Sequence, residues 1–458
     1  MNVAADGVSS PGAETLIGRQ GPASTLVLQG PRLVDPRVGL DATRDLVVRD
    51  GRIAELAEPG GAPEIEGAEL VDAEGLLVLP AFVDPHVHLR VPGQEHKEDL
   101  ETGTRSAASG GYCAVIAMAN TSPAIDSAAV LGSVRDRAER EASIPLGFVA
   151  NVTRGMAGAE LTEMAELREA GAIGFSDDGL PIADARVLRR ALQYQRLAGG
   201  VIALHEEDPH LSAGGVMNEG EVSALVGMAG VPGVSESTMI ARDCSLARYE
   251  GARIHVQHLS ARSSVEEIAR AKAAGVSVTC EATPHHLTLT DEAVRSLDAR
   301  FKMNPPLRTE DDRQALLDGL RDGTIDCVAT DHAPHAAEEK EMPFEEAAWG
   351  VTGLETAFAA LHTDLVLPGV LPLEVLVERM TSGGEPFGIA APRIEADAVA
   401  NLALIDPGLT WTVGEEGYES RSHNNCYAGR ELTGRVLMTV ADGRVAFRQR
   451  SFAMGVAS

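Results

Sequence analysis

Histidines and acids of this sequence stand directly after short apolar runs, where their side chains could meet around a metal ion. The first case is His86 and His88 in PAFVDPHVHLR, residues 80–90. Strand side chains alternate between two faces, so these histidines project to the same side and Arg90 continues the alternation. Such a pair can hold one metal ion, although an isolated HxH pair is more often two hydrogen-bonded surface histidines.

Four further apolar runs end in side chains of the same chemical type. They are His205 in VIALHEED, His258 in RIHVQHLS, Asp331 in TIDCVATDHAPH, and the pair Asp177 and Asp178 in GAIGFSDDG. Strand alternation does not decide which acid of the pair faces the others. Imidazoles combined with carboxylates suit Zn²⁺, with cobalt or manganese as alternatives. Zinc lowers the pKa of bound water to about 7, so these residues predict a hydrolytic metal centre.

The segments that must position these residues lie within 80–385, where strand-like and helical patterns alternate. Eight short apolar runs are separated by stretches with helical spacing, such as SSVEEIARAKAAGV, and glycine marks the passage from helix to strand. Eight such units over roughly 300 residues predict an α/β fold, a (β/α)8 TIM-like barrel. Active sites of these barrels lie at the C-terminal ends of the strands, where the histidines and acids stand.

The two ends of the chain show a different pattern. Residues 24–79 and 386–458 contain short alternating runs with Asp-Gly turns, which predicts one small β-sandwich domain built from both termini. Residues 1–23 are rich in Gly, Ala, Ser and Pro and have no hydrophobic period, so we predict a flexible N-terminal extension. Residues 80–385 would then form the catalytic barrel.

Composition excludes several classes of protein. The 458 residues contain 39 Lys plus Arg and 68 Asp plus Glu, which gives a net charge of −29. This charge repels nucleic-acid phosphates and anionic lipid, so we expect neither as a partner. No apolar run reaches the ~20 residues of a spanning helix, and no export signal begins the chain, so we expect a cytoplasmic protein. Five cysteines without CxxC pairing predict buried thiols.

In combination, these segments resemble the class I dihydroorotases of the amidohydrolase superfamily. The resemblance is carried by VDPHVHLRVPG, GGY with MANTSP, FSDDG, LHEED, QHLS, TPHHL, KMNPPLR and ATDHAPH. It implies reversible, zinc-dependent cyclisation of N-carbamoyl-L-aspartate to (S)-dihydroorotate plus water, the third step of pyrimidine biosynthesis leading to UMP. The implied catalytic residue is Asp331, which would take a proton from the nucleophile and deliver it to the leaving ring nitrogen.

The resemblance also implies a ligand set for one or two zinc ions per subunit. One ion would bind the HxH pair and Asp331, the other His205 and His258, with Asp178 as the bridge. Many relatives place a carboxylated lysine at the bridging position. This chain has only four lysines, and none follows the fourth strand. The resemblance therefore disfavours the hydantoinase and allantoinase branches, which rely on such a lysine.

The implied substrate keeps an α-carboxylate, so its pocket needs a fixed cation and amide donors. Arg90, two residues beyond His88, is the natural clamp. The resemblance implies further substrate contacts: His88, Asn120, Asn304, His335, Trp349 and Gly350. Without the resemblance, both asparagines would be interpreted as turn residues. The polar segment 335–350 is predicted to be a mobile lid over the site.

Two alternatives remain open from the sequence. One is another cyclic amidohydrolase, a hydantoinase or dihydropyrimidinase, whose substrates lack the ring carboxylate that Arg90 would bind. The other is a non-catalytic, dihydroorotase-like scaffold for aspartate transcarbamoylase. Such scaffolds lack metal ligands, whereas every ligand position is filled here. A homo-oligomer, and a complex of the active enzyme with aspartate transcarbamoylase, also remain open.

Overall fold

A barrel flanked by strands from both ends of the chain makes up the computed structural model, which describes residues 16–450 and Phe452. Seven strands precede the barrel. They are β1 (Leu26–Gln29), β2 (Arg32–Asp35), β3 (Leu40–Thr43), β4 (Asp45–Arg49), β5 (Arg52–Ala57), β6 (Glu69–Asp72) and β7 (Leu77–Pro80). These strands are short and rich in valine and leucine, and turns separate them.

Ten strands lie in the middle of the chain. They are β8 (Phe82–Val87), β9 (Tyr112–Ala117), β10 (Leu146–Ala150), β11 (Gly174–Phe175), β12 (Ile202–Leu204), β13 (Met217–Asn218), β14 (Gly230–Val231), β15 (Ile254–Val256), β16 (Val278–Ala282) and β17 (Cys327–Val328). Apart from β13 and β14, they form one parallel sheet in chain order. The backbone N–H of His88 donates to the carbonyl of His332 at 2.9 Å, which brings the two edges of the sheet close to closure. The predicted α/β barrel is confirmed.

Twelve α-helices occur among the described residues. They are α1 (Leu100–Ser109), α2 (Ala128–Glu141), α3 (Met164–Glu169), α4 (Ala185–Ala198), α5 (Glu221–Val226), α6 (Val234–Glu250), α7 (Arg262–Ala273), α8 (Pro284–Thr288), α9 (Glu310–Asp322), α10 (Ala337–Lys340), α11 (Ala357–Leu361) and α12 (Leu373–Thr381). Helix α7 buries Val265, Ile268 and Ala271, one turn apart, because apolar residues recur at helical spacing. Gly275 then turns the chain toward β16 with φ 77°, a conformation that favours glycine. In the described part of the chain, no helix is both long and apolar enough to cross a membrane.

The remaining strands are β18 (Leu402–Thr412), β19 (Glu431–Ala441) and β20 (Arg444–Arg448). They join strands from the start of the chain in a six-stranded sheet of order β20-β19-β18-β7-β2-β3, beside a four-stranded sheet of order β5-β4-β1-β6. Ala403 of β18 lies opposite Leu79 of β7. Leu28 from the four-stranded sheet and Leu404 from the six-stranded sheet share one apolar cluster. The predicted β-structure built from both termini is therefore confirmed.

The predicted flexible extension, residues 1–23, is described only in part, since residues 1–15 lie outside the described residues. Ile17 exchanges two backbone hydrogen bonds with Leu146, at 2.9 and 2.8 Å. Leu16 and Ile17 also pack against the barrel core, because burying their apolar side chains is favourable. Ile17 is therefore attached to β10 rather than free, which corrects the prediction for this residue. As predicted, all five cysteines are buried and free.

Candidate active site

Side chains of all six predicted metal ligands meet at the C-terminal ends of the barrel strands. His86 lies in β8, and the other five follow β8, β11, β12, β15 and β17 within three residues. They are His86, His88, Asp178, His205, His258 and Asp331, and all are buried. His88 Nε2 lies 2.9 Å from an Asp331 carboxylate oxygen. His205 Nδ1 lies 3.0 Å from His258 Nε2. The parallel barrel thus brings together residues that are far apart in sequence.

Asp178 is the carboxylate at the centre of this cluster. Its Oδ1 atom lies 3.4 Å from His86 Nε2, 3.7 Å from His258 Nε2 and 3.9 Å from His205 Nδ1. Its Oδ2 atom lies 3.4 Å from His88 Nε2. One carboxylate therefore faces all four imidazoles, which is the position that a bridging ligand requires.

Asp177 takes a different role, although it is the same residue type one position earlier. Its carboxylate accepts hydrogen bonds from the backbone N–H of Val152 at 2.9 Å and of Thr153 at 3.1 Å. The Thr153 hydroxyl also donates to it. These donors belong to the loop after β10, so Asp177 fixes that loop and does not face the histidines.

Three of the residues at the site adopt a backbone conformation that is unusual for side chains with a Cβ. The φ angles of Arg90, His258 and Asp331 are 61°, 31° and 46°. Each such residue costs on the order of 1–3 kcal/mol, which surrounding contacts must offset. Next to Asp331, the Thr330 hydroxyl donates to the buried Asp84 carboxylate at 2.6 Å. The unusual backbone conformation changes the direction of side chains that follow the barrel strands.

Atoms in the cluster lack partners in a way that fits a divalent cation. His86 Nε2, Asp178 Oδ1 and His258 Nδ1 are buried, and the described residues provide no hydrogen bond to them. Buried polar atoms are normally paired, at a cost of roughly 1–3 kcal/mol when they are not. Two three-residue groups here bring ligand atoms within 4.8 Å of one another: His86, His88 and Asp331, and His86, Asp178 and His258. The nitrogen and oxygen donors suit a borderline metal such as zinc.

Electrostatics in the cluster also favour positive charge. Burial opposes ionisation of Asp178, but the facing His86 and His258 outweigh burial and hold its pKa well below the usual value. Burial likewise opposes ionisation of Asp331, and His86 and His88 lower its pKa. Among the described residues, neither carboxylate forms an ion pair with lysine or arginine, so both are available to a bound cation.

Glu281 is a residue of the site that the sequence analysis missed. It lies in β16 and accepts hydrogen bonds from His86 Nδ1 at 2.7 Å and His255 Nε2 at 2.9 Å. Burial raises its pKa, but the adjacent His86 and His255 outweigh burial and lower the pKa to about 2. A charged residue in the apolar strand VTCEA was the available signal, because a buried charge requires partners.

Both predicted substrate-contact asparagines reach the ligand cluster and are not simply turn residues. Asn120 Oδ1 accepts from His88 Nδ1 at 2.9 Å. The Asn304 amide nitrogen donates to Glu207 at 2.6 Å and lies 3.3 Å from His205 Nε2. The two asparagines therefore contact different histidines of the cluster, His88 and His205.

The other predicted substrate contacts form a second group beside the cluster. Arg90 is buried, and its Nε donates to the Pro334 carbonyl at 3.1 Å. Arg90 Nη2 lies 3.5 Å from His335 Nε2, which in turn donates to the Trp349 carbonyl at 2.7 Å. Burial, followed by the charge of Arg90, lowers the pKa of His335 to about 3, so this imidazole is neutral at neutral pH. The structure therefore brings Arg90, His335 and Trp349 together.

Three of the four lysines contact the segment 335–350, and the first of them, Lys97, forms an ion pair with Glu339 at 2.6 Å. Lys340 Nζ donates to the carbonyls of Lys302, Ala348 and Gly350 at 3.1, 2.8 and 2.9 Å. Lys302 Nζ donates to the carbonyls of residues 344 and 345, and it lies 4.7 Å from the centre of the Trp349 ring. The mobility of this segment stays a prediction.

Gly350 within this segment requires the absence of a side chain. Its φ is 127°, and a Cβ at this position would lie 2.6 Å from the Ala333 Cβ. That distance is well below van der Waals contact, so any other residue would displace the loop. The close approach places the Gly350 backbone against the segment after β17.

Comparisons with known proteins identify the family. A family model described as "Dihydro-orotase-like" matches residues 75–264. The chain is 44% identical over 426 residues to a dihydroorotase of Trichlorobacter lovleyi. The aligned region covers 93% of this chain and 100% of that protein. A dihydroorotase of Pelotomaculum thermopropionicum is also 44% identical, over 93% of this chain and 99% of its own length. This chain belongs to the dihydroorotase family. It is a cyclic amide hydrolase.

Solved structures of other cyclic amidohydrolases share the fold of this dihydroorotase. An L-hydantoinase (dihydropyrimidinase) from Arthrobacter aurescens superposes with a TM-score of 0.80 at 25% identity, covering 92% of this chain and 96% of that one. A dihydropyrimidinase from Brevibacillus agri gives a TM-score of 0.79 at 22% identity, covering 93% and 95%. Sequence identity to the dihydroorotases is higher, at 44%. The similarity to these two structures therefore supports a shared fold and does not support the hydantoinase alternative.

Proposed function

We propose that this dihydroorotase interconverts N-carbamoyl-L-aspartate with (S)-dihydroorotate and water, using one or two zinc ions per subunit. This is the third step of pyrimidine biosynthesis leading to UMP. The observation that carries the proposal is the Asp178 carboxylate, which faces four imidazoles in a cluster with unpaired buried donor atoms. A site of this composition supports metal-assisted hydrolysis better than any chemistry without a cation.

The proposed ligand sets follow the two sides of the cluster. His86, His88 and Asp331 would hold one ion, and His205 and His258 the other, with Asp178 between them. Support comes from the ligand atoms of the first set, which lie within 4.8 Å of one another. When bound, zinc polarises a carbonyl group and lowers the pKa of water to about 7. His205 also contacts Glu207 at 3.1 Å, which orients its ring.

Asp331 is the proposed catalytic acid and base. In the hydrolytic direction, water adds to the ring amide carbonyl carbon and the carbon–nitrogen bond breaks. An Asp331 carboxylate oxygen takes the proton from the nucleophile and delivers it to the departing ring nitrogen. In ring closure the same oxygen moves the proton in reverse and protonates the departing oxygen. His86 and His88 outweigh burial and hold the pKa of Asp331 below its usual value, so the carboxylate is ionised at neutral pH.

Substrate orientation is assigned to the group beside the cluster. Arg90 would bind the α-carboxylate, because a buried guanidinium forms strong charge-assisted hydrogen bonds. Asn120 and His335 would provide further polar contacts, and the backbone at Trp349 and Gly350 would close the pocket. Asn304 would contact the substrate from the side of His205. Holding the substrate in this way supplies orientation and excludes water.

The alternatives have less support. A hydantoinase or dihydropyrimidinase would have no use for Arg90 as a carboxylate clamp, and residues 176–184 after β11 contain no lysine. A non-catalytic scaffold would not need six converging ligand side chains. A homo-oligomer and a complex with aspartate transcarbamoylase stay open predictions.

The division of the chain is part of the same proposal. Residues 80–385 would carry catalysis, and residues 24–79 with 386–458 would form the β-sheet domain. The enzyme would work in the cytoplasm without a nucleic-acid or membrane partner, in agreement with the net charge of −29.

The experiment that tests this function compares substrates in purified wild-type protein and the Asp331→Asn variant. We expect the wild type to act on N-carbamoyl-L-aspartate and dihydroorotate and to be far slower on dihydrouracil. Asp331→Asn should lower kcat by roughly 10²–10⁴-fold, the usual contribution of a general acid–base residue, with an unchanged circular dichroism spectrum. Preference for dihydrouracil in the wild type, or near-normal kcat in a metal-loaded variant, would contradict the proposal.

A further inference from the structure

Glu281 stands at the centre of a buried network behind the ligand cluster. Its side chain is 0% exposed. Oε1 accepts from His86 Nδ1 at 2.7 Å and from the backbone N–H of His258 at 3.2 Å. Oε2 lies 2.9 Å from His255 Nε2. One carboxylate of β16 therefore contacts two proposed ligand residues, His86 in β8 and His258 after β15.

These contacts determine which nitrogen of His86 faces the cluster. A carboxylate only accepts hydrogen bonds, so the Glu281 contact at 2.7 Å, which is shorter than the 3.3 Å to the Gln257 amide nitrogen, places a hydrogen of the His86 ring on Nδ1. When a metal ion replaces the second ring proton, the lone pair of Nε2 is directed to the opposite side. On that side, Nε2 lies 3.4 Å from Asp178 and 3.5 Å from Asp331, and it has no hydrogen-bond partner among the described residues. This is the tautomer and orientation that a metal ligand needs.

His255, Glu281 and Cys327 also bring three ligand atoms within 4.8 Å of one another. Their hydrogen bonds argue against a separate metal site. His255 Nδ1 is 2.8 Å from the Thr279 hydroxyl and its Nε2 pairs with Glu281, while both Glu281 oxygens already accept hydrogen bonds. His86 Nε2 is unpaired by contrast. The group therefore has no unused nitrogen or oxygen for an ion and supports the neighbouring ligands instead.

We propose that Glu281 is the positioning residue of the metal centre. It fixes His86 in the tautomer that presents Nε2 and holds the backbone at His258. His255, which is itself bonded to Thr279, holds Glu281 in turn. The inference rests on the proposed metal function and adds a residue to it. Partners that orient metal-binding histidines typically change metal affinity by about 10–100-fold.

Glu98 provides a matched control for a substitution at Glu281. Like Glu281, it is 0% exposed, and its carboxylate contacts an imidazole, that of His332, at 3.4 Å. His332 Nδ1 accepts from the backbone N–H of Gly353 at 3.2 Å, so His332 is not directed at the cluster. Glu98→Gln thus removes a buried carboxylate next to a histidine that holds no proposed ion.

The experiment measures zinc dissociation constants of the metal-free wild type, Glu281→Gln and Glu98→Gln by competition with a chromophoric chelator. Thermal unfolding of the metal-free proteins and visible absorption of their Co²⁺-loaded forms are recorded alongside. We expect Glu281→Gln to bind zinc about 10–100-fold more weakly, with an altered Co²⁺ spectrum. Glu98→Gln should keep the wild-type affinity and spectrum, even if both variants unfold at lower temperature.

Several outcomes would overturn the inference. Wild-type zinc affinity and an unchanged Co²⁺ spectrum in Glu281→Gln would do so, as would an equal loss in Glu98→Gln. If Glu281→Gln does not fold, Glu281→Asp keeps the charge and withdraws it by one methylene. Weaker zinc binding in this variant supports the inference, and wild-type affinity contradicts it. If the wild type binds neither zinc nor cobalt, the proposed metal centre itself fails and the inference fails with it.

Discussion

Asp177 and Asp178 are neighbours in the chain, yet their carboxylates face different parts of the structure. Asp178 Oδ1 lies 3.4 Å from His86 Nε2, inside the ligand cluster. Asp177 Oδ1 lies 2.9 Å from the backbone nitrogen of Val152, in the loop after β10. Substitutions of Asp177 and Asp178 can therefore be compared directly to separate the effect on metal binding from the effect on loop stability.

Asp178→Asn should lose most of its bound zinc and most of its activity, because a neutral amide attracts a cation less than the carboxylate that faces the four imidazoles. Asp177→Asn should retain zinc but lose about 1–3 kcal/mol of unfolding free energy, since backbone donors of Val152 and Thr153 lose a charged acceptor. Zinc content after gel filtration and chemical denaturation check both expectations. Zinc loss in Asp177→Asn with retention in Asp178→Asn would reverse the assignment.

Arg90→Met should raise the KM for N-carbamoyl-L-aspartate by about 10–100-fold, which corresponds to the loss of a charge-assisted hydrogen bond. Zinc content should stay at the wild-type level, because Arg90 contacts Pro334 and His335 rather than the ligands. Steady-state kinetics with metal analysis provide the measurement. Arg90→Lys keeps the charge, so its KM should lie between those of the wild type and Arg90→Met. An unchanged KM in Arg90→Met would show that the carboxylate is bound elsewhere.

Lys340→Met should loosen the segment 335–350, because three backbone carbonyls lose the Lys340 ammonium as their donor. We expect faster limited proteolysis within this segment and a higher KM, with zinc affinity unchanged. Lys272→Met is the matched control, since Lys272 pairs with Asp326 away from the segment. Equal proteolysis rates for the two variants would show that Lys340 does not hold the loop.

Much of this site could be predicted from the sequence because strand ends are visible as apolar runs. The runs before His205 and His258 locate two ligands, and the barrel geometry implies that they meet. The choice between Asp177 and Asp178 could not be made from the residues, because the loop after β11 no longer alternates as a strand does. The structure decides which carboxylate faces the histidines.

Other parts of the site depend on contacts between distant segments. Glu281 is 195 residues from His86, and neither neighbouring sequence indicates that the two side chains meet at 2.7 Å. The roles of Asn120 and Asn304 are likewise hidden, since both residue types are common in turns. Pairing of this kind is set by the register of the barrel strands, which no local pattern specifies.

Glu355 provides a test of pH dependence outside the metal site. Burial raises its pKa to about 7, above the ordinary value of 4.5, although the backbone N–H groups of Glu419 and Ser420 donate to it. The folded protein therefore holds a proton that the unfolded chain releases. The stability that this provides is present below pH 4.5 and is lost as the pH rises through about 7.

The amide that replaces the carboxyl group in Glu355→Gln has no proton to lose in this pH range. The folding stability of this variant should therefore not fall as the pH rises through about 7. We expect the melting temperature of the wild type to fall relative to the variant between about pH 5 and pH 8. Thermal unfolding of the two proteins in the same buffers provides the measurement. Parallel curves across this range would show that Glu355 does not titrate with a raised pKa.

Ring closure should depend on the one or two divalent ions that the six buried side chains are proposed to hold. The direct measurement is dihydroorotate formation from N-carbamoyl-L-aspartate before chelation, after exhaustive chelation and after return of zinc, with bound metal determined at each stage. We expect activity and metal to disappear together and to return together, with one or two zinc ions per chain. Full activity in protein shown to be free of metal would contradict this expectation.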